Sequence, residues 1–374
     1  MSVKPARQSL GSVLVVGGCG FLGHHVVKQL VQYHQTTAIA VLDLRTVRNR
    51  MPESDGVRYF DGDITSIPSI TPAFTATKPD VVIHTASPVL MEKDRELMQR
   101  VNVDGTKNLV AVAGKFGVKA FVYTSSASVI SDNTSDLLHA DERWPLVARK
   151  FQDENDFYTL TKADAEQHVL TANRAHNKML TVALRPAGII GEGDVQNMVN
   201  VVGAYKKGLT NFQLGDNDNL WDFTYVANAA HACVLASVAL LKTSTAWPSV
   251  PLDHERVDGE AFFITNDAPV YFWDYARAVW ALAGDKTGLN VWVISKDFGL
   301  FVGGLLEAIL GAVGRTPNLT RKQVRFSSFA RYYNIDKAKS RLGYAPIVGL
   351  EEGIKRGYDW LVEQERGKAE EKTL

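Results

Sequence analysis

An α/β fold, a doubly wound parallel sheet with a smaller, mainly C-terminal substrate-binding lobe, is predicted by three observations. Short apolar runs alternate with segments of helical period from Val13 to Ile189; three glycines punctuate the first strand-to-helix turn; and an aspartate, Asp43, closes the second apolar run. Strands that are apolar throughout, rather than alternating, belong to sheets covered by helices on both faces.

The elements follow in order. Val13 to Val16 is a buried strand bounded by glycine, and Val26, Val27, Leu30 and Val31 then recur at helical spacing. "AIAVLDL" (Ala38 to Leu44) is a second strand, and a third short one precedes "FDGDIT". "DVVIHTAS" (Asp80 to Ser87), a helix around Asn102 to Phe116, "AFVYTSSASVI" (Ala120 to Ile130), a helix from about Asp156 and "TVALRPAGI" (Thr181 to Ile189) continue the alternation. Ligands of such a sheet lie at the carboxyl ends of its strands.

At 374 residues and 45% apolar, the chain can bury a full core. Lysine plus arginine equal aspartate plus glutamate at 41 each, which argues against nucleic acid and points to a small molecule or an apolar surface as partner. Cys19 and Cys233 make neither a metal-ligand spacing nor a disulfide framework, so no metal is expected and a reducing compartment fits. "MSVKPARQSLGS" is not followed by an apolar stretch of signal-peptide length, so the body is expected to face the cytosol.

Gly17, Gly20 and Gly23 form a G-x-x-G-x-x-G turn between strand and helix, the arrangement of a Rossmann-type dinucleotide site. Lack of a β-carbon permits the tight turn and the close approach of a pyrophosphate, and the helix N-terminus offers free N–H groups and partial positive charge. Phe21 and Leu22 share this turn. Asp43, about 20 residues past the last glycine, is placed to take adenosine ribose hydroxyls. A carboxylate there favours NAD; Arg45 and Arg48 either accommodate a 2'-phosphate, admitting NADP, or are solvated loop charges. Asp63, with Ile64 beside it, either accepts from the adenine amino group or caps the next segment.

The chemistry is expected in "YTSSASVI" and "FYTLTKADAEQ". Tyr158 and Lys162, four apart, share a helix face. An ammonium beside a phenol favours phenolate, which can take an alcohol proton. Ser126, at a strand end, can donate to the same oxygen, and strand alternation sends Ser125 to the other face. The three together make a hydride-transfer site.

These residues resemble the extended short-chain dehydrogenase/reductases. Within them, "VVGGCGFLGHHVV", "HTASP", "NVDGTKNLV", "YTSSASVI", "YTLTKADAE", "LRPAGIIGEGD", "DFTYVANAAHA" and "FFITNDAPVYFWDY" resemble the 3β-hydroxysteroid dehydrogenase family, and the last resembles its sterol-4α-carboxylate branch. The resemblance implies that Gly17, Gly20 and Gly23 hold the pyrophosphate and Asp43 the ribose. It implies that His84 and Ala86 line the cofactor, that Lys162 also reaches the nicotinamide ribose, and that Pro186 shapes the nicotinamide pocket. The reaction implied is oxidation of the 3β-hydroxyl of a 4α-carboxysterol to a 3-ketone with loss of carbon dioxide. His84, Arg143, Arg149 and Arg185 are the candidates for holding the substrate carboxylate. Also implied are a homodimer through the helices bearing "NVDGTKNLV" and "YTLTKADAE", other enzymes of sterol C4 demethylation as partners, and a place on the cytosolic face of the endoplasmic reticulum membrane.

Residues 11–190 are assigned to the NAD-binding domain, with 220–240 and 260–268 returning to it. Residues 191–219 and 269–360 form the substrate lobe, and 361–374 a frayed, charged tail. His231 reads as a core histidine. "FGLFVGGLLEAILGAVG" (298–314) is apolar except for Glu307, with Gly303, Glu307 and Gly311 on one stripe. It is short for a membrane span of about 20 residues. It lies in a membrane interface or covers the substrate lobe, and the resemblance favours peripheral or monotopic attachment.

Two alternatives accompany this reading. One is a 3β-hydroxysteroid dehydrogenase/isomerase or another NAD(P)-dependent ketone reductase, against whose NADPH-driven form Asp43 argues. The other, a non-catalytic dinucleotide sensor, has no use for intact Ser126, Tyr158 and Lys162 together.

Overall fold

The computed structural model describes residues 9–33, 36–88, 94–147, 157–288, 290–312, 314, 315, 317 and 319–371. Seven parallel strands, β1 (Ser12–Val16), β2 (Ala38–Asp43), β3 (Arg58–Asp61), β4 (Val81–His84), β5 (Ala120–Thr124), β7 (Leu180–Pro186) and β12 (Glu260–Ile264), form the main sheet in the order β12-β7-β5-β4-β1-β2-β3. Strand order reverses between β1 and β4, and this switch point opens a crevice at the strands' carboxyl ends. Between β5 and β7 the chain also forms β6 (Leu137–Ala140), which lies outside this sheet.

Alternation along each strand divides two cores. Val13 and Val15 of β1 face a layer with Val26, Leu30, Ala230 and Val234, whereas Leu14 and Val16 face Phe74, Leu109 and Val169. The first layer is built by α1 (Phe21–Tyr33) and α7 (Val226–Thr245); the second by α2 (Ile67–Thr77), α4 (Thr106–Lys115) and α5 (Phe157–Thr171). The helix expected at Asn102 begins earlier, at α3 (Arg95–Met98), and reaches α4 through a π-type widening at Gln99–Gly105. Among the described residues α7 is the one helix long and apolar enough to cross a membrane, and its apolar residues are spent on packing against α1 and the sheet.

The smaller lobe contains β8 (Gly188–Ile190), α6 (Asn197–Lys206), β9 (Phe212–Leu214), β10 (Leu220–Trp221), β11 (Phe223–Tyr225), β13 (Val270–Tyr271), α8 (Phe272–Leu282), β14 (Trp292–Ile294), α9 (Lys296–Ala312), α10 (Arg321–Ser328), β15 (Arg331–Tyr333) and α11 (Leu350–Glu371). Its four-stranded sheet runs β13-β10-β15-β6, so the backbone of residues 137–140 pairs with the lobe, while Leu137 and Ala140 pack into the first core, as expected for residues within 11–190. Conversely Ile335, Ala338, Leu342 and Tyr344, inside the expected 269–360 segment, pack into the first core. The expected frayed tail is instead helical to Glu371, with Leu361 buried in the lobe's own apolar cluster.

Glu307 on α9 accepts from the Arg321 backbone N–H at 2.9 Å and from Arg321 Nε at 2.8 Å, at the first residue of α10. Gly299 and Gly303 face the same neighbour: a β-carbon on Gly303 would stand 3.0 Å from Arg321 N. Gly311, expected on this stripe, has nothing within 4 Å of such an atom. With its small residues and its acid turned to α10, the helix leaves Phe298, Phe301, Leu305 and Ile309 exposed at 60, 69, 49 and 55%. Trp292 and Val293 of β14 are exposed beside it in sequence.

Candidate active site

The glycine turn is built as tightly as its residues allow. Gly17 N–H donates to the Leu42 carbonyl at 2.8 Å and adopts φ +81°, a left-handed conformation that suits glycine. A β-carbon there would lie 2.6 Å from Ala86 N, and one on Gly23 would lie 2.1 Å from the Gly17 carbonyl oxygen. Gly20 is exposed at the crest, so the turn presents backbone rather than side chain to the crevice. Phe21 and Leu22 open α1, where backbone N–H groups have no intrahelical partner. The Leu22 side chain is buried in the core, and that of Phe21 is half-buried against Gly193. Their fit to a phosphate is therefore through the main chain.

Asp43 stands at the end of β2 with Oδ2 accepting from Cys19 N–H at 2.9 Å, which fixes the carboxylate against the turn. Arg45 and Arg48 are exposed. Asp63 Oδ1 accepts from Thr65 N–H at 2.8 Å, the contact of a turn aspartate. Ile64 is buried under Gly105, where an added β-carbon would meet Ile64 Cγ1 at 2.6 Å. Pro186 ends β7 and, with Leu22, Thr124, Leu184 and Cys233, lines a narrow apolar cleft. A glycine crest, a helix N-terminus and a carboxylate at the second strand's end fit a dinucleotide.

His84 departs from the expected cofactor contact. It shares the parity of Val82, so its side chain enters the α2/α4/α5 layer, where it is 1% exposed. There Nε2 and Thr106 Oγ1 are 3.0 Å apart, and the ring lies against Phe121 and Tyr123. Burial pushes its pKa down to about 3, so the imidazole is neutral and offers no charge to a carboxylate.

The catalytic candidates do converge on one strand end. Lys162 is buried on α5, its Nζ donating to the Thr124 carbonyl at 2.6 Å and lying 4.6 Å from the centre of the Tyr123 ring. Desolvation lowers its pKa to about 7, opposed by the charge of Glu166 one turn on. Tyr158, one turn earlier on the same face, is half-buried. Ser126 follows Thr124 by two residues, its Oγ accepting from Ser128 N–H at 3.2 Å and lying 2.9 Å from Ser128 Oγ. Ser125 is buried, with no hydrogen-bond partner for its Oγ among the described residues.

Two more carboxylate candidates are engaged within the chain. Arg185 is buried and held by Glu166, its Nη2 2.5 Å from Oε1. Arg143 is exposed and paired with Asp141 at 2.5 Å. Arg149 lies outside the described residues. The sequence reading missed a polar set behind the site: buried Asn102 donates through Nδ2 to buried Thr161 Oγ1 at 3.0 Å, and the exposed Ser87 donates through Oγ to Asn102 Oδ1 at 2.9 Å. The π-type widening carries Asn102 to this position, a distortion with no local sequence signal. His231 is half-buried on α7.

The 3-beta hydroxysteroid dehydrogenase/isomerase family model matches residues 14–292. The sterol-4-alpha-carboxylate 3-dehydrogenase, decarboxylating, of Candida albicans is 41% identical over 364 residues, covering 95% of this chain and 99% of that protein. The human protein of that name is 33% identical, covering 91% of this chain and 86% of the other. A Thermotoga maritima UDP-glucose 4-epimerase structure superposes with TM-score 0.67 at 19% identity, over 96% of this chain and 99% of that one. A Bacillus anthracis dTDP-glucose 4,6-dehydratase in complex with NAD gives TM-score 0.66 at 17% identity, over 95% and 97%. At such identities the two structures speak for the fold, which matches the seven-stranded parallel sheet. By the extent of its family match and by relatives aligned over nearly its whole length, the chain belongs to the 3-beta hydroxysteroid dehydrogenase/isomerase family.

Proposed function

We propose that this chain is an NAD(P)-dependent oxidoreductase that converts the 3β-hydroxyl of a 4α-carboxysterol to a 3-ketone with loss of carbon dioxide. The observation that carries the chemistry is Lys162, buried with its Nζ on the carbonyl of Thr124, two residues before Ser126, and on the Tyr158 face of α5. The sterol carboxylate as substrate is supported by the relatives' names over nearly the whole chain.

The residues that would hold the cofactor are Gly17, Gly20, Gly23, Phe21, Leu22, Asp43, Ala86 and Pro186, with Tyr158 and Lys162 at the nicotinamide end. When bound, NAD supplies the acceptor for the hydride leaving C3. Tyr158, as phenolate, takes the hydroxyl proton, and the Lys162 ammonium stabilises that phenolate. Ser126 donates to the same oxygen while it becomes a carbonyl. The product is a β-keto acid. Its C4–carboxyl bond breaks, the electron pair passes into an enolate, and the carboxyl carbon leaves as carbon dioxide. Ser126 and the newly protonated Tyr158 both donate to the enolate oxygen, and proton return to C4 completes the ketone.

We further propose peripheral or monotopic attachment at the cytosolic face of the endoplasmic reticulum membrane, where a sterol is dissolved. The exposed row Phe298, Phe301, Leu305 and Ile309 on α9 supports this. A homodimer through α4 and α5, and association with other enzymes of sterol C4 demethylation, belong to the same proposal.

The test is NADH formation by the detergent-solubilised protein with a 4α-carboxy-3β-hydroxysterol, with mass detection of the product and Tyr158→Phe as control. A 3-ketone lighter by carbon dioxide, absent in the control, supports the reading; binding of NAD without turnover of the sterol overturns the substrate assignment.

A further inference from the structure

Ser126 is joined to a second and a third hydroxyl. Thr159 Oγ1, on the turn of α5 that also carries Tyr158, donates to Ser128 Oγ at 3.0 Å, and Ser128 Oγ lies 2.9 Å from Ser126 Oγ. Thr159 is buried, whereas Ser126 and Ser128 are half-buried. Each hydroxyl has one proton and two acceptor positions. Thr159 places its proton on Ser128, so Ser128 can pass its own to Ser126 Oγ. Ser126 Oγ also accepts the Ser128 backbone N–H at 3.2 Å. In that arrangement both acceptor positions of Ser126 are taken and its own proton is left for a ligand.

We propose that Ser128 and Thr159 are positioning residues that fix Ser126 as a hydrogen-bond donor to the substrate oxygen. The inference rests on the reading of Ser126, Tyr158 and Lys162 as an alcohol-oxidising site. A fixed donor matters because charge grows on that oxygen as its proton leaves, and a hydroxyl already oriented needs no reorganisation during the reaction. A chain of hydroxyls pointing one way also polarises each member, strengthening the last bond. The short 3-10 turn Ala127–Ile130 puts Ser128 over Ser126, and α5, packed against that turn, brings the buried Thr159 to Ser128. Neither residue touches the reacting atoms; both act through Ser126.

The experiment measures kcat, KM and the primary isotope effect with substrate deuterated at the 3α position, for the parent, Ser128→Ala, Ser128→Thr and Thr159→Val. It is run with the 4α-carboxysterol oxidised by NAD and, separately, with a plain 3-ketosteroid reduced by NADH carrying the transferred deuterium. Loss of one hydrogen bond that acts in the transition state lowers kcat about tenfold in Ser128→Ala, with KM for the cofactor unchanged and a larger isotope effect. Ser128→Thr restores most of the rate, and Thr159→Val shows a smaller loss of the same kind. A Ser128→Ala variant within twofold of the parent in kcat overturns the proposal. So does a rate lost with no change in isotope effect and no rescue by threonine. Parent turnover of the plain ketone but not of the carboxysterol counts against the substrate reading alone, and the hydroxyl chain is then judged on the ketone. A parent inactive on both overturns the proposal together with its catalytic premise.

Discussion

Lys162 Nζ donates to the carbonyl oxygen of Thr124 at 2.6 Å, so one hydrogen bond ties the base-supporting residue of α5 to the strand end that leads into Ser126. The bond lies inside the protein, and burial lowers the Lys162 pKa from its ordinary 10.5 to about 7. Between about 7 and 10.5 the unfolded chain therefore binds a proton that the folded chain does not. Unfolding free energy attributable to Lys162 rises with pH across that window and is flat below it. In urea titrations of the cofactor-free protein, the stability difference between parent and Lys162→Met should change steadily in the parent's favour from pH 7 to 10. Parallel curves would refute the assignment. Lys162→Met should also lower kcat about a hundredfold or more and raise the pH of the activity limb, because the phenolate loses its ammonium neighbour.

Glu166 and Arg185 form a buried pair, with side chains 0% and 5% exposed. Removing one partner leaves the other charged and desolvated, at a cost of about 3–5 kcal/mol. Arg185→Met should therefore lower Tm severely while Glu166→Leu/Arg185→Met recovers much of the loss. If Arg185→Met instead leaves Tm unchanged and raises KM for the sterol acid alone, the residue reaches substrate and the structural assignment fails.

Asp43 and Gly17 separate two ways of weakening the cofactor site. Asp43→Asn keeps an acceptor for the Cys19 N–H but loses the charge, so NAD KM should rise about tenfold while NADP is discriminated against less. Gly17→Ala places a β-carbon 2.6 Å from Ala86 N at a positive φ, so both stability and affinity for NAD and NADP should fall. Isothermal titration with the two dinucleotides distinguishes them: a changed ratio for Asp43→Asn, an unchanged ratio with weaker binding for Gly17→Ala.

The parts of the site that local chemistry dictates were legible in the sequence. A turn of three glycines at that spacing has few other uses, and Asp43 and Ser126 are read from strand ends. His84 and Arg185 were misread as charges available to a ligand although strand parity was informative: Val82 and Ala183, two residues before each, face the second core. The widening that places Asn102, and the ion pair between Glu166 and Arg185, are tertiary events between segments far apart in sequence. Composition misled at the C-terminus, where the charged faces of α11 suggested a frayed tail. Within that stretch the helix buries Leu361, and Glu365 pairs with Lys206 of α6 at 2.5 Å.

The glutamate in α9 decides how that helix can meet a membrane. A buried carboxylate in lipid would be costly, but Glu307 is turned to Arg321 at 2.8 Å on the α10 side, leaving the opposite face to Phe298, Phe301, Leu305 and Ile309. A helix held in this way can lie flat in the interface without unfolding or exposing the acid. Each large apolar side chain transferred fully from water contributes about 1.5–3 kcal/mol, so replacing Phe301 and Ile309 by serine should weaken partitioning about a hundredfold or more. Cosedimentation with phosphatidylcholine vesicles measures this, and Tm of the lipid-free protein should change little because both side chains are already exposed. Turnover of a detergent-dispersed sterol acid should be retained, while turnover of the same substrate presented in vesicles should fall. Vesicle binding equal to that of the parent would show that α9 is not the membrane contact. A large fall in Tm would show instead that this face is covered in the native protein.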